Sequence, residues 1–226
     1  MATHTTLRMR RPSPPRDDED GVAGNERLTG LVGALLVPLL AVEGVTIVYI
    51  GRLINVHMYL GMLLIAPIGL KLATTGYRFV SYYAGRSAYR RKGPPPTPLR
   101  VLGAALVPIT VLMLASGVAL MFAGPSDRHV LLPVHKVSFI VWVAFAAVHV
   151  LAHLGGAARS VSAESGHPLR QDRAVGPIAR RRARLAVITA TLLVGVILGL
   201  VSVPQFGPWQ HRHHDDGAQS ARLDSR

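Results

Sequence analysis

Five ionisable side chains stand out within apolar stretches of this chain, Glu43, His57, Lys71, His135 and His149, with His153 close behind. Titratable groups at bilayer depth are costly, so each is a candidate for function. Cysteine is absent. That excludes disulfides, iron–sulfur clusters and thiolate metal sites, and leaves histidine as the strong ligand for a soft metal or haem iron. His149 follows His135 by fourteen residues, close to four helical turns, so the two project from nearly one face, about 21 Å apart along the axis. Trp142 falls midway on that face, and His153 lies one turn beyond His149. His57 and Lys71 repeat the fourteen-residue spacing on another apolar run. Two helices thus each present a histidine near one membrane face and a second basic side chain near the other. A six-coordinate haem iron takes axial ligands from opposite sides of its plane. His57 and His135, at matched depth on helices that can be neighbours, would supply them without a loop. With both axial positions filled, such an iron suits electron transfer better than oxygen chemistry. Gly61, one turn from His57, and Gly117 would leave room for the flat macrocycle, or serve ordinary close helix packing.

The runs that carry these residues predict an all-α transmembrane helical bundle. A spanning helix needs about 20 predominantly apolar residues, and five segments qualify: Leu28 to Ile50, Ile54 to about Thr75, Leu99 to Ala123, Leu132 to Leu154, and Leu185 to Val203. The first four (residues 28–154) form the expected core, and the fifth (185–203), free of ionisable side chains, is an accessory C-terminal helix. Gly51-Arg52-Leu53 makes a hairpin of the first two spans, and Gly124-Pro125-Ser126-Asp127-Arg128 joins the third to the fourth. The chain is 50% hydrophobic, with 25 Lys and Arg against 12 Asp and Glu. The excess positive charge sits in loops, the pattern of a membrane protein and not of a nucleic-acid partner. One basic loop carries Arg78, Arg86, Arg90, Arg91, Lys92 and Arg100. The other (within 155–184) carries Arg159, Arg170, Arg173, Arg180, Arg181, Arg182 and Arg184. The opposite side has only Arg52 and Arg128, with Lys136 just inside the fourth span. The positive-inside bias therefore predicts a cell-membrane protein with a cytoplasmic amino terminus and an extracytoplasmic carboxyl terminus. Tyr77, Tyr82, Tyr83 and Tyr89 among the arginines read as an interfacial belt.

Glu43 lies on the first span about 10 Å below the outer surface. It could accept a hydrogen bond from a ligating histidine, carry a proton for a quinol site, or bond Thr46 or a neighbouring hydroxyl. It could also join His57 and His135 as a zinc or iron ligand set, which requires three helices to meet around one ion.

The fourth-span histidine pair, with His57 opposite its outer member, resembles membrane-embedded b-type cytochromes. The similarity is to the cytochrome subunit of membrane-bound formate dehydrogenases and hydrogenases and, more distantly, to the ferric reductase membrane domain. It covers about Leu28 to Leu154 and rests on spacing and topology. In that group the chain starts in the cytoplasm, and an outer haem is held by histidines on the second and fourth spans. The resemblance thus implies a haem b at His57 and His135, a quinone and a redox partner subunit. The inner haem of that group uses the second fourth-span histidine and another from the first span or lower on the second. Here the first span has no histidine and the lower second-span position is Lys71, so a second haem would need His149 with Lys71. Lysine ligation requires a deprotonated amine, whereas a lysine at that depth can instead snorkel inward. His57-Met58-Tyr59-Leu60-Gly61 through Lys71 to Gly76-Tyr77-Arg78-Phe79 also resembles an uncharacterised bacterial membrane-protein family, which brings no activity with it.

Outside the spans, Met1 to Arg27 is rich in Pro, Arg and Asp and reads as disordered cytoplasmic chain, too polar and acidic for a secretory signal. Gly93-Pro94-Pro95-Pro96 reads as a stiff connector. Residues 204–226 read as a disordered outer tail whose His211-Arg212-His213-His214-Asp215-Asp216 could bind metals weakly. No phosphate-binding glycine loop, nucleophile motif or dinucleotide fold is present. Three functions follow from these residues: a haem-binding electron carrier, a divalent-metal site at Glu43, His57 and His135, and a non-redox transporter or interaction subunit with a polar pathway through Glu43, His57 and Lys71.

Overall fold

A computed structural model describes residues 16–93, 97–124, 128–164 and 178–209. Among them the regular elements are helices: α1 (Arg16–Val48), α2 (Ile50–Tyr83), α3 (Ser87–Lys92), α4 (Thr97–Ala123), α5 (Arg128–Glu164) and α6 (Ile178–Ser202), followed by a 3-10 turn at Val203–Phe206. Five segments, Gly21–Val48, Ile50–Tyr83, Thr97–Ala123, Arg128–His153 and Arg180–Trp209, are long and apolar enough to cross a membrane. Helices suit that environment because they satisfy every interior backbone group within the segment. The chain is an all-α, multi-pass membrane protein.

The turn between α1 and α2 is tight. Tyr49 (φ −109°, ψ 34°) and Leu53 (φ −112°, ψ 19°) leave helical geometry, while the Arg52 and Leu53 amides both donate to the Tyr49 carbonyl, at 2.9 and 3.0 Å. This folds α2 back along α1. The other main neighbours are α4 with α5 and α1 with α5, and α2 meets α4 more lightly. The four helices therefore form a ring in which α2 and α5 stand opposite one another instead of side by side. A buried core of Val32, Leu36, Leu64 and Ile68 joins α1 to α2, with Leu114 of α4 and Ile188 of α6 packed against it. Buried hydroxyls turn back on their own helices: Thr110 donates to Leu106 O (2.7 Å), Ser138 to His135 O (3.0 Å) and Ser202 to Leu198 O (2.7 Å). Each is thereby satisfied without water.

Several helices outrun the hydropathy limits. α1 begins at Arg16, so residues 16–27, expected to be disordered, are its first turns; residues 1–15 lie outside the described part. The cause is a polar seam with the equally extended α2. Asn25 Nδ2 donates to Thr74 O (3.1 Å), Glu26 pairs with Arg78 (3.3 Å), and Val22 is buried beside them in sequence. α5 continues to Glu164 and α6 starts at Ile178, which shortens the expected basic loop from both ends. The description reaches Trp209, with Phe206 buried at 5% exposure. The His211–Asp216 cluster and Pro94–Pro96 lie outside the described residues. Between Gly85 (φ +83°) and Gly93 (φ +74°), α3 folds back so that Tyr89 packs edge-on against Tyr77, with ring centres 6.1 Å apart. Tyr77 and Tyr83 are exposed as a belt would be, but Tyr89 is buried. Burial pushes its phenol above the usual tyrosine range, Tyr77 adding to the effect and Arg86 and Arg78 opposing it.

The fifth spanning helix lies along α2, and two glycines one turn apart let it approach. A Cβ at Gly195 would run into the Leu63 carbonyl, and one at Gly199 would come within 2.7 Å of the Tyr59 ring. This is the small-xxx-small device of membrane helix pairs. Gly195→Ala should push α6 off α2 and cost about 1–3 kcal/mol, seen as a lower unfolding temperature in detergent. Gly69→Ala, whose Cβ meets nothing within 4 Å, should leave it unchanged; equal melting of the two variants would refute the close α2–α6 contact.

Candidate functional site

His57 projects from the second turn of α2, and α1 returns past it on the other arm of the hairpin. Its Nδ1 lies 2.8 Å from Glu43 Oε1 and 3.1 Å from Thr46 Oγ1. Thr46, 2% exposed, donates to the Glu43 carbonyl (2.6 Å) and reaches Glu43 Oε2 at 3.2 Å. Of the roles open to Glu43, two are realised together, partner of His57 and partner of Thr46. Gly61 stands beside this carboxylate, where a Cβ would sit 3.8 Å from Oε1 at ordinary contact. Its place is next to Glu43, and a methyl there would fit.

His135 comes from α5, across the ring of helices. Its Nδ1 is 3.0 Å from the Met113 carbonyl and 3.2 Å from Ser116 Oγ, both on α4. The Ser116 hydroxyl itself donates to Met113 O (3.0 Å). Gly117 completes the cradle, because a Cβ there would come within 2.9 Å of His135 Cε1. The glycine thus makes room for the imidazole. The His57 and His135 ring centres are 6.4 Å apart, with planes at 67°.

These contacts fix the tautomers. A carbonyl such as Met113 O only accepts, so His135 Nδ1 carries the hydrogen, and the Glu43 carboxylate imposes the same choice on His57. In a neutral imidazole held this way, Nε2 would keep the lone pair. Histidine ligands are commonly held this way, the second nitrogen donating to a carboxylate or backbone carbonyl. The same geometry disposes of the three-ligand metal set. Glu43 backs His57 at Nδ1, behind the ring, and no group of three or more His, Cys, Asp or Glu among the described residues could hold an ion.

Toward the other end of the bundle the expected partners do not meet. Lys71 Nζ donates to the Thr29 carbonyl on α1 at 2.7 Å, through a gap left by Gly33, where a Cβ would sit 3.0 Å from Nζ. It does not bond His149, whose Nδ1 has no hydrogen-bond partner. His149 stacks on His153, with ring centres 4.4 Å apart and planes at 23°. His153 Nδ1 donates to the His149 carbonyl (2.9 Å), and His149 Nδ1 is buried without a hydrogen-bond partner. Trp142, midway along α5, donates to Thr110 Oγ1 (2.9 Å) and ties α5 to α4.

Sequence reasoning passed over Met113, Ser116 and Gly33. A carbonyl leaves no mark on the residue type, but Ser116 next to Gly117 is a small polar pair inside an apolar run, which could have pointed to a ring lodged there. No protein-family model, curated protein or solved structure matches this chain. Gly117→Ala should drive the His135 ring off the Met113 carbonyl, costing about 1–3 kcal/mol for the lost bond and shifting the imidazole nitrogen signals of His135 in detergent. Gly103→Ala on the same helix, with nothing within 4 Å of its Cβ, is the neutral control; unshifted signals in the Gly117 variant would show that the ring does not rest there.

Proposed function

We propose that this chain is a haem b-binding membrane protein that carries electrons, with His57 and His135 as the two axial ligands. The observation that carries the reading is the facing pair of imidazoles, each held at Nδ1 so that Nε2 is available, with ring centres 6.4 Å apart. Two imidazoles on opposite sides of one metal ion, each about 2 Å from it through nitrogen, place their ring centres roughly 6 Å apart. The separation of 6.4 Å is of that size, and the pair supplies two imidazole donors of the kind that would hold such a group. A bound haem b supplies reversible one-electron transfer at an iron whose axial positions are filled.

The chain's own residues do the rest. Glu43 and Thr46 orient His57, and Met113 O and Ser116 orient His135. Gly117 admits the His135 ring. Lys71, engaged with Thr29 O, and His149, stacked on His153, are not arranged as a second pair, which favours one haem over two. With the arginine-rich loops on the cytoplasmic side, the histidine pair lies toward the outer face. That position suits a cytochrome subunit passing electrons between the quinone pool and an outer-face partner.

Purified protein in mild detergent, expressed with haem supplied, should give sharp dithionite-reduced bands in the visible spectrum. His57→Ala and His135→Ala should each abolish them, while His149→Ala should leave them in place. Absence of haem absorbance from the unmodified protein would overturn the reading.

A further inference from the structure

The two histidines are backed by partners of different charge. His57 Nδ1 meets a carboxylate at 2.8 Å, whereas His135 Nδ1 meets a neutral carbonyl at 3.0 Å with a neutral hydroxyl beside it. The Glu43 side chain is only 13% exposed, and its contacts are an imidazole and the Thr46 hydroxyl, neither of which carries a fixed positive charge. A negative charge in such a place is screened far less than one in water.

We infer that Glu43 sets the redox poise of the site, acting through His57 as a positioning residue whose charge favours the oxidised state; this rests on the bis-histidine haem reading. Two effects point the same way. A carboxylate accepting the Nδ1 hydrogen raises the basicity of the imidazole and strengthens its donation through Nε2. Its charge also stabilises whichever state of the centre carries one more positive charge, which is the oxidised one. His135, on a neutral carbonyl, gains the weaker basicity effect and none of the charge. The pair is thus electronically lopsided, and the lopsidedness lies in the α1–α2 hairpin.

Thr46 modulates the same charge. Its hydroxyl, shared between the Glu43 carbonyl and Oε2, draws off part of the negative charge that His57 would otherwise feel. Removing the carboxylate and removing the hydroxyl should therefore move the site in opposite directions, a pattern that a merely structural role does not produce.

The test is optical potentiometry of the haem-loaded full chain in detergent, one electron passing from a mediator dye to the centre with no bond broken. Glu43→Gln keeps an acceptor oxygen for Nδ1–H and removes the charge. It should preserve the reduced spectrum and raise the midpoint potential, favouring the reduced state by tenfold or more, about 59 mV per tenfold for one electron. Glu43→Asp, which keeps the charge but draws it back by one methylene, should give a smaller rise. Thr46→Val should lower the potential. If Glu43→Gln does not retain haem, the opposite signs expected for Glu43→Asp and Thr46→Val still decide the matter. Unchanged potentials, or shifts of one sign in all variants, would overturn the inference while leaving the haem in place. A wild-type chain without haem would instead overturn the reading beneath it.

Discussion

A carboxylate and an imidazole held 2.8 Å apart inside an apolar bundle impose most of what surrounds them. Neither group tolerates hydrocarbon alone, so α1 and α2 must stay in register along the hairpin for as long as the pair is to be satisfied. That register brings Thr46 onto both partners and turns His57 toward the middle of the ring. Across the ring of helices a second imidazole faces it, with ring centres 6.4 Å apart. The interior around them contains few other polar atoms seeking partners, because its serines and threonines mostly bond back to their own helices.

The two ends of the bundle solve the same problem differently. Near the α1–α2 turn, titratable side chains face one another across the interior. Toward the arginine-rich end they are spent on backbone: Lys71 on the Thr29 carbonyl and His153 on the His149 carbonyl. Thr29 O already serves the helical amide of Gly33 four residues on. Lys71 therefore makes a second, charge-assisted use of that carbonyl, and it needs the missing side chain of Gly33 to reach it. The fourteen-residue echo between His57–Lys71 and His135–His149 is thus a repeat of spacing without a repeat of chemistry.

Much of this was legible before any coordinates. Apolar length alone located five spans, since nothing but a closed hydrogen-bond ladder survives in lipid, and the matched depth of His57 and His135 anticipated their approach. What escaped depended on partners. Polar residues 16–27 look unstructured until Asn25 and Glu26 find Thr74 and Arg78 on a neighbour. Depth says nothing about azimuth, so α2 and α5 could be read as neighbours when they stand opposite. Gly61 and Gly117 carry the same letter, yet only Gly117 is pressed by a ring. Gly195 and Gly199 were in plain view at the spacing of a helix-pairing motif, but an apolar helix without charges drew attention away from its small residues.

The tight turn at Tyr49–Leu53 also bears on how the chain enters the membrane. Glu43 and His57 lie on either side of it, close enough that a newly made hairpin already contains both members of the pair. Each span inserted alone would have to drag an uncompensated polar group through hydrocarbon. Inserted as one hairpin, the two spans would carry the pair across already matched, with the carboxylate in lipid compensated by its partner on the adjoining span.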